Sequence, residues 1–362
     1  MVGRLTAIYH VRCDATAIEA RANAIAVEQS VEMPLSAIDD AFVVSEIVGR
    51  VDGIRAHGDG VFEVRIALAV ETIGRDAGQL INMLFGNTSL HDDVVLHDVD
   101  LPANLVTSFG GPRHGLADLR RRVDAGQRAL TCSALKPQGL PPSALADLAR
   151  RFAEGGIDYI KDDHGLADQH YARFSKRVEA ITAALEKFPA TRYVPSLSGD
   201  IDNMRHQLAI AARAGLDAVM VAPMIAGLAN FHRLVREHTS FAFFAHPALA
   251  GAARLSPPLL IGKLFRMLGA DAVIFPNHGG RFGYAPEACR ALAKAALAGW
   301  EGLKPCVPVP AGGMSRERVP EMLDFYGADI MLLIGGALLA ARERLVAETA
   351  SFVAEVKNYG HG

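Results

Sequence analysis

Residues 129–163 read ALTCSALKPQGLPPSALADLARRFAEGGIDYIKDD and contain one complete strand–helix–strand unit. Residues 129–135 and 157–161 are short apolar runs, and residues 143–154 repeat apolar side chains at helical spacing. Gly155 and Gly156 follow that helix, where a left-handed C-cap favours glycine. The same unit recurs outward along the chain. Further apolar runs stand at 192–197, 217–222, 241–245, 272–276, 307–311 and 329–334, which makes eight with the first two. Helical segments such as 201–214 and 316–326 lie between them, and Gly215, Gly269 and Gly327 precede the next strand. Eight β/α units over roughly 230 residues is the arithmetic of a TIM (β/α)8 barrel. An open doubly wound sheet is the competing architecture; the count of eight and the even spacing favour the barrel.

The first part of the chain follows another pattern. Residues 5–13, 40–52 and 60–70 read as strands. Residues 14–30, with Asp14 as N-cap, and 74–86, ending at Gly86, read as helices. Strand, helix, strand, strand, helix fits an α+β layer of the ferredoxin-like kind. The expected organisation is an N-terminal ferredoxin-like domain over residues 1–115 and a TIM-barrel domain over 116–362.

Half of the 362 residues are hydrophobic and 21% are charged, which suits a sizeable core and excludes a disordered chain. Lys+Arg 37 against Asp+Glu 40 gives a net charge of −3, so there is no global field for nucleic acid or an anionic membrane. Cys13, Cys132, Cys289 and Cys306 form no CxxC pair, so neither a cysteine zinc site nor a disulfide framework is expected. This usage suits a reducing, cytoplasmic compartment. The stretch MVGRLTAIYHVRCDA lacks the apolar run of a signal peptide. Residues 328–341 (ADIMLLIGGALLAA) are too short, and too divided by glycine, to span a bilayer.

A TIM barrel carries its active site at the C-terminal ends of its strands. Lys136 follows strand one, Lys161-Asp162-Asp163-His164 follow strand two, His246 ends strand five, and Arg281 lies on the loop after strand six. Lys161 and Asp163, two apart at a strand end, point the same way, and His164 joins them if the chain turns there. A carboxylate and an imidazole suit a divalent ion; a solvated acidic strand end would show the same spacing. Gly312-Gly313 after strand seven and Gly335-Gly336 after strand eight expose backbone N–H groups at the usual phosphate position of this fold, although a tight turn needs glycine too. The glycine-rich loop bearing His278 and Arg281 reads as a lid. The run Arg120-Arg121-Arg122 and Lys304 read as solvated charges.

Seven stretches in register resemble one family. KPQGL (136–140), KDDH (161–164), PAGG (310–313) and IGGALL (334–339), together with AVEQS (26–30), LFGN (84–87) and GPRHG (111–115), resemble the ribulose-bisphosphate carboxylase (RuBisCO) large-chain family. The resemblance covers nearly the whole chain. It implies that Lys161 is the lysine carbamylated by carbon dioxide, that Asp163 is its partner ligand for Mg2+, and that His164 stands where the family has glutamate. It also implies that Lys136 handles protons at the substrate carbons and that His246 is a second proton-transfer group or a ligand of a substrate hydroxyl. Four departures accompany it: a second lysine after strand one is missing, Pro247 replaces a phosphate-gripping arginine, the strand-six loop lacks its lysine, and Ala311 replaces serine. These remove the groups for carbon dioxide addition and for a second phosphate, and leave an enolisation core with one phosphate site. The chain therefore resembles the RuBisCO-like, form IV, proteins and not a carbon-fixing enzyme. Glu28 and Asn87 match positions that complete the active site of the neighbouring subunit, so a homodimer is implied.

The expected activity is formation of a metal-stabilised enolate from a phosphorylated keto sugar or keto sugar acid, with decarboxylation of a 3-oxo sugar-acid phosphate as the leading reading. The alternative is an isomerase or enolase acting on a methylthio sugar phosphate in methionine salvage, although the position of Asn87 resembles a catalytic lysine site of the salvage enolases, and asparagine there argues against that activity. A catalytically silent protein that binds a sugar phosphate is the third reading.

Overall fold

The computed structural model describes residues 3–359, in two compact units. The first comprises the residues through Gly110 together with Ala250–Leu260; the second comprises Gly111–Leu249 and the residues from Ile261 onward.

The first unit is a four-stranded antiparallel sheet in the order β2-β3-β1-β4. Its strands are β1 (Arg4–Arg12), β2 (Arg50–Gly58), β3 (Val61–Ala69) and β4 (Val94–Asp100), with helices α1 (Ile18–Glu28) and α2 (Ala77–Phe85) between them. This is the ferredoxin-like order. Alternation along β1 sends Leu5, Ala7, Tyr9 and Val11 to the buried face, where the Tyr9 hydroxyl donates to the Leu84 carbonyl of α2 at 2.6 Å. The register of β1 on β4 slips between Ile8 and Tyr9, whose partners are Asp98 and Leu96, so His97 is the extra residue of a bulge.

Three local expectations differ from the structure. The strand expected at 40–52 is a helical turn at Val43–Ile47 followed by β2, because the Asp40 carboxylate accepts the backbone N–H of Phe42 (2.8 Å) and Val43 (3.0 Å) and starts the turn. Asp14 does not cap α1, which begins at Ile18 after Ala17 with no side-chain cap. A strand unforeseen in the sequence, β4, completes the sheet. Nor does periodicity reveal that the chain returns to this unit at Ala250–Leu260. There the Leu96 N–H donates to the Arg254 carbonyl and the Ser256 N–H to the Leu96 carbonyl, each at 3.0 Å.

The second unit holds eight parallel strands where the apolar runs place them: β5 (Leu130–Leu135), β6 (Tyr159–Asp162), β7 (Arg192–Val194), β8 (Ala218–Val221), β9 (Ala242–Ala245), β10 (Ala272–Pro276), β11 (Val307–Ala311) and β12 (Met331–Leu333). They pair as β12-β5-β6-β7 and β8-β9-β10-β11, and the Leu197 N–H to Met220 carbonyl bond (2.8 Å) joins β7 to β8. Helices cover the outside, so the strands are buried on both faces and read as continuous apolar runs. Tyr159, Met220, Phe244, Val309 and Met331 share one core with Leu116 and Leu119 of the helix Gly115–Arg121.

Two of the three arginines read as solvated charges are structural. Arg120 is buried and donates to the Arg128 and Ala328 carbonyls, and Arg122 donates to the Asp217 carbonyl at 2.6 Å. Lys304 likewise donates to the Arg113 carbonyl at 2.6 Å. The carbonyls of Arg128, Asp217 and Ala328 stand just before strands and need donors, which Arg120 and Arg122 supply. Among the described residues no helix is long and apolar enough to cross a membrane.

Candidate active site

At the C-terminal end of β6 the pleat sorts four consecutive residues. Lys161 is buried, and its ammonium donates to the Asp162 carbonyl at 2.8 Å. Burial holds that amine below the usual lysine range. Asp162 points the other way and belongs to the scaffold. It accepts from Arg177 Nε (3.0 Å), the Tyr193 hydroxyl (2.8 Å) and the Ser196 N–H (3.0 Å). Asp163 returns to the side of Lys161. Its Oδ2 lies 2.8 Å from Lys136 Nζ and its Oδ1 lies 2.8 Å from His164 Nδ1. Burial by itself would raise the Asp163 carboxyl; hydrogen bonds from His164 and Lys136 and the nearby lysine charges outweigh it and hold Asp163 well below the usual carboxylate range.

His246, at the end of β9, stacks its ring on His164 with centroids 4.3 Å apart. Its Nδ1 accepts the Ala248 N–H at 3.1 Å, so in the neutral ring Nε2 carries the proton and is a donor. Burial, then the charge of Lys161, keeps His246 uncharged at neutral pH. The structure thus brings together Lys136, Lys161, Asp163, His164 and His246 from three strand ends.

The His164–Asp163 bond also matters for a metal. With Nδ1–H given to the carboxylate, the Nε2 lone pair of His164 is left to ligate, which is the carboxylate–histidine arrangement of many metal sites. A carboxylate with one hydrogen bond on each oxygen keeps a lone pair on each. A buried lysine whose amine is pushed toward the neutral form is the chemistry that carbon dioxide capture requires. The His164 Nε2 points away from Asp163, so the residues present fit a divalent ion held by Asp163 and a carbamate on Lys161, and His164 joins the same ion only by giving up its Nδ1 bond to the carboxylate.

The glycine pairs divide. Gly312 and Gly313 both have positive φ, and a side chain at Gly313 would meet Gly280 Cα at 2.7 Å. Gly280 in turn sits where a Cβ would fall 2.0 Å from the Gly312 carbonyl oxygen. The need for glycine there is already met by the strand-six loop lying on the strand-seven turn. Gly335 and Gly336 have no such neighbour: the nearest atom to a Cβ at Gly335 is Ala134 Cβ at 3.9 Å, and at Gly336 there is none within 4 Å. A side chain would therefore have room at either position, and Gly336 is exposed. Arg281 is exposed on that strand-six loop, 5.0 Å from the Phe282 ring. Gly280→Ala is expected to cost about 1–3 kcal/mol, because backbone atoms cannot swing aside. Thermal unfolding and faster tryptic cleavage after Arg281 would measure it.

Glu28 and Asn87 lie in the first unit, where Asn87 Nδ2 donates to Glu28 (2.9 Å) and to Glu32 (2.8 Å). Glu32 was not foreseen; it reaches the pair through a left-handed backbone, φ 54°, that its sequence does not signal. Gln29 welds this corner, donating to the Met83 carbonyl (2.8 Å) and accepting the Thr88 N–H (3.2 Å).

The ribulose bisphosphate carboxylase large chain, catalytic domain family matches residues 115–347. The chain is 61% identical to the 5-methylthioribulose-1-phosphate isomerase of Rhodospirillum rubrum, over 98% of this chain and 97% of that protein. A crystal structure of a Rubisco-like protein from Rhodopseudomonas palustris superimposes with a TM-score of 0.93 at 49% identity, covering 99% of each chain. At 31% identity, the chain also matches a 2,3-diketo-5-methylthiopentyl-1-phosphate enolase from Geobacillus thermodenitrificans over 76% of its length and 70% of that protein. The chain belongs to the ribulose bisphosphate carboxylase large-chain family, among its RuBisCO-like, form IV, proteins.

Proposed function

We propose that the protein is an isomerase of a methylthio ketose phosphate, with 5-methylthioribulose 1-phosphate as its substrate. The observation that carries this is the 61% identity, over nearly the full length of both chains, to an isomerase of that name. Decarboxylation of a 3-oxo sugar-acid phosphate, the leading expectation from sequence, has no such support. The proposed chemistry moves the carbonyl away from C2 along the sugar chain through an enediolate. The amine of Lys136 takes a proton from the carbon beside the ketone and, as the ammonium that pairs with Asp163, returns it at the former carbonyl carbon. The proton of the adjacent hydroxyl passes to the former carbonyl oxygen, so that the hydroxyl carbon becomes the new ketone, and His246 donates through Nε2–H to an oxygen of the enediolate between them. A divalent ion, Mg2+ by family resemblance, would be held by the oxygens of carbamylated Lys161 and Asp163 and would polarise the ketone, with His164 as a third ligand only if its Nδ1 left Asp163. Gly335 and Gly336 offer backbone N–H groups to the phosphate, with Gly312, Gly313 and Arg281 on its other side. Glu28 and Asn87 serve the site of a neighbouring copy in a homodimer.

The test incubates the protein with 5-methylthioribulose 1-phosphate in deuterated water and follows the products by NMR. The expected result is an isomer with its carbonyl moved, carrying solvent deuterium or the transferred hydrogen at the former carbonyl carbon. No isomer, together with carbon dioxide release from a 3-oxo sugar-acid phosphate, would restore the decarboxylase reading. Binding of either compound without conversion would leave a sugar-phosphate-binding protein.

A further inference from the structure

The first unit carries a second cluster of metal-ligating side chains, on the sheet face opposite α1 and α2. His10 of β1 and Glu63 of β3 are directly paired across the ladder, so both side chains leave the sheet on the same side. His57, near the end of β2, brings its ring to within 4.5 Å of the His10 ring centroid. One ligand atom from each of His10, His57 and Glu63 lies within 4.8 Å of the other two. The bulge in β4 turns His97 onto the same spot, its ring stacked on His10 at 3.8 Å and nearly parallel. Nε2 of His10 is buried and has no hydrogen-bond partner. A buried ring nitrogen left unbonded is costly, and a ligand that bonds it recovers that cost.

We propose that His10, His57 and Glu63 form a binding site for a divalent ion of the zinc class, with His97 stacked against the central ligand. Two imidazoles and one carboxylate are the donor set of a borderline ion, whereas magnesium and calcium take oxygen. Tetrahedral ligands at about 2.0–2.1 Å from zinc stand roughly 3.3 Å apart, so closing the site needs rotamer shifts of about an ångström and no movement of the strands. Glu63 already has an orienting partner: Arg55 Nη2 donates to its Oε2 at 3.0 Å, which leaves Oε1 for the ion. The ion would pin β1, β2 and β3 together across the open face of the sheet. The site is independent of the barrel chemistry, and it does not depend on which reaction the protein performs.

The full-length protein, stripped with a chelator, is titrated with Co2+ and followed by its visible absorption, and the Co2+ is then displaced with Zn2+. The titration is repeated in a His164→Gln background, which removes the barrel imidazole. In the His164→Gln background, one bound equivalent whose affinity falls at least roughly tenfold in His10→Ala and in His57→Gln supports the site. His57 is exposed, so His57→Gln serves if His10→Ala fails to fold. Two results would overturn it: no bound cobalt in the His164→Gln background, or titration curves that neither variant changes.

Discussion

Lys136→Met is expected to lower kcat by about 10²–10⁴-fold with little change in KM, the range for loss of a positioned acid–base group. The methionine keeps most of the lysine stem, so the loop after β5 should keep its packing. What disappears is the amine 2.8 Å from Asp163 Oδ2, on a long side chain that is 34% exposed. Asp163 keeps its bond to His164, so the carboxylate keeps its orientation after the substitution. Lys136→Arg separates two roles. A guanidinium preserves the positive charge beside Asp163 but does not give up a proton at working pH. If Lys136 acts only as a charge, arginine restores most of the rate. If it moves a proton, arginine is as slow as methionine, and hydrogen exchange at the carbon beside the ketone stops in both. Turnover unchanged in Lys136→Met would remove this lysine from the mechanism.

The barrel is legible in the sequence because its strands are covered on both faces, and burial on both faces leaves an uninterrupted apolar run. Glycines with positive φ at 156, 215, 269 and 327 then mark where each helix stops. The first unit is less legible because a half-covered sheet gives a weaker pattern. There Asp40 starts a helical turn through two backbone bonds that hydropathy does not register, and β4 is broken by a bulge at His97. In the site, the period of two places Lys161 and Asp163 on one side and sends Asp162 to the other. What spacing does not contain is contact between distant loops. The approach of Gly280 to Gly312, and of Glu32 to Asn87, depends on backbone conformation rather than on residue order. The three histidines on the first sheet were equally hidden, since they come from three strands and only the register unites them.

The largest stability effect is expected at a residue that does no chemistry. Asp162 and Arg177 form an ion pair with both side chains fully buried, 3.0 Å apart. Removing one partner of such a pair strands the other charge away from water, at a cost of about 3–5 kcal/mol. Asp162→Ala and Arg177→Met should each fall in that range in urea unfolding followed by circular dichroism. The double variant should cost less than the two singles added, because the second substitution removes the charge that the first stranded. It should not return to wild-type stability. Asp162 also accepts from the Tyr193 hydroxyl and the Ser196 N–H, and Arg177 donates to the Ala167 and Ala172 carbonyls, so apolar replacements leave four polar groups without these partners, three of them buried. Additive singles, or a single cost below about 1 kcal/mol, would show that the site relaxes or that water enters. Activity should fall with stability in Asp162→Ala. The residues on either side, Lys161 and Asp163, take their direction from the backbone that Asp162 anchors to β7, and Lys161 itself donates to the Asp162 carbonyl at 2.8 Å. The same pleat that turns Lys161 and Asp163 to one side turns the residue between them into the anchor.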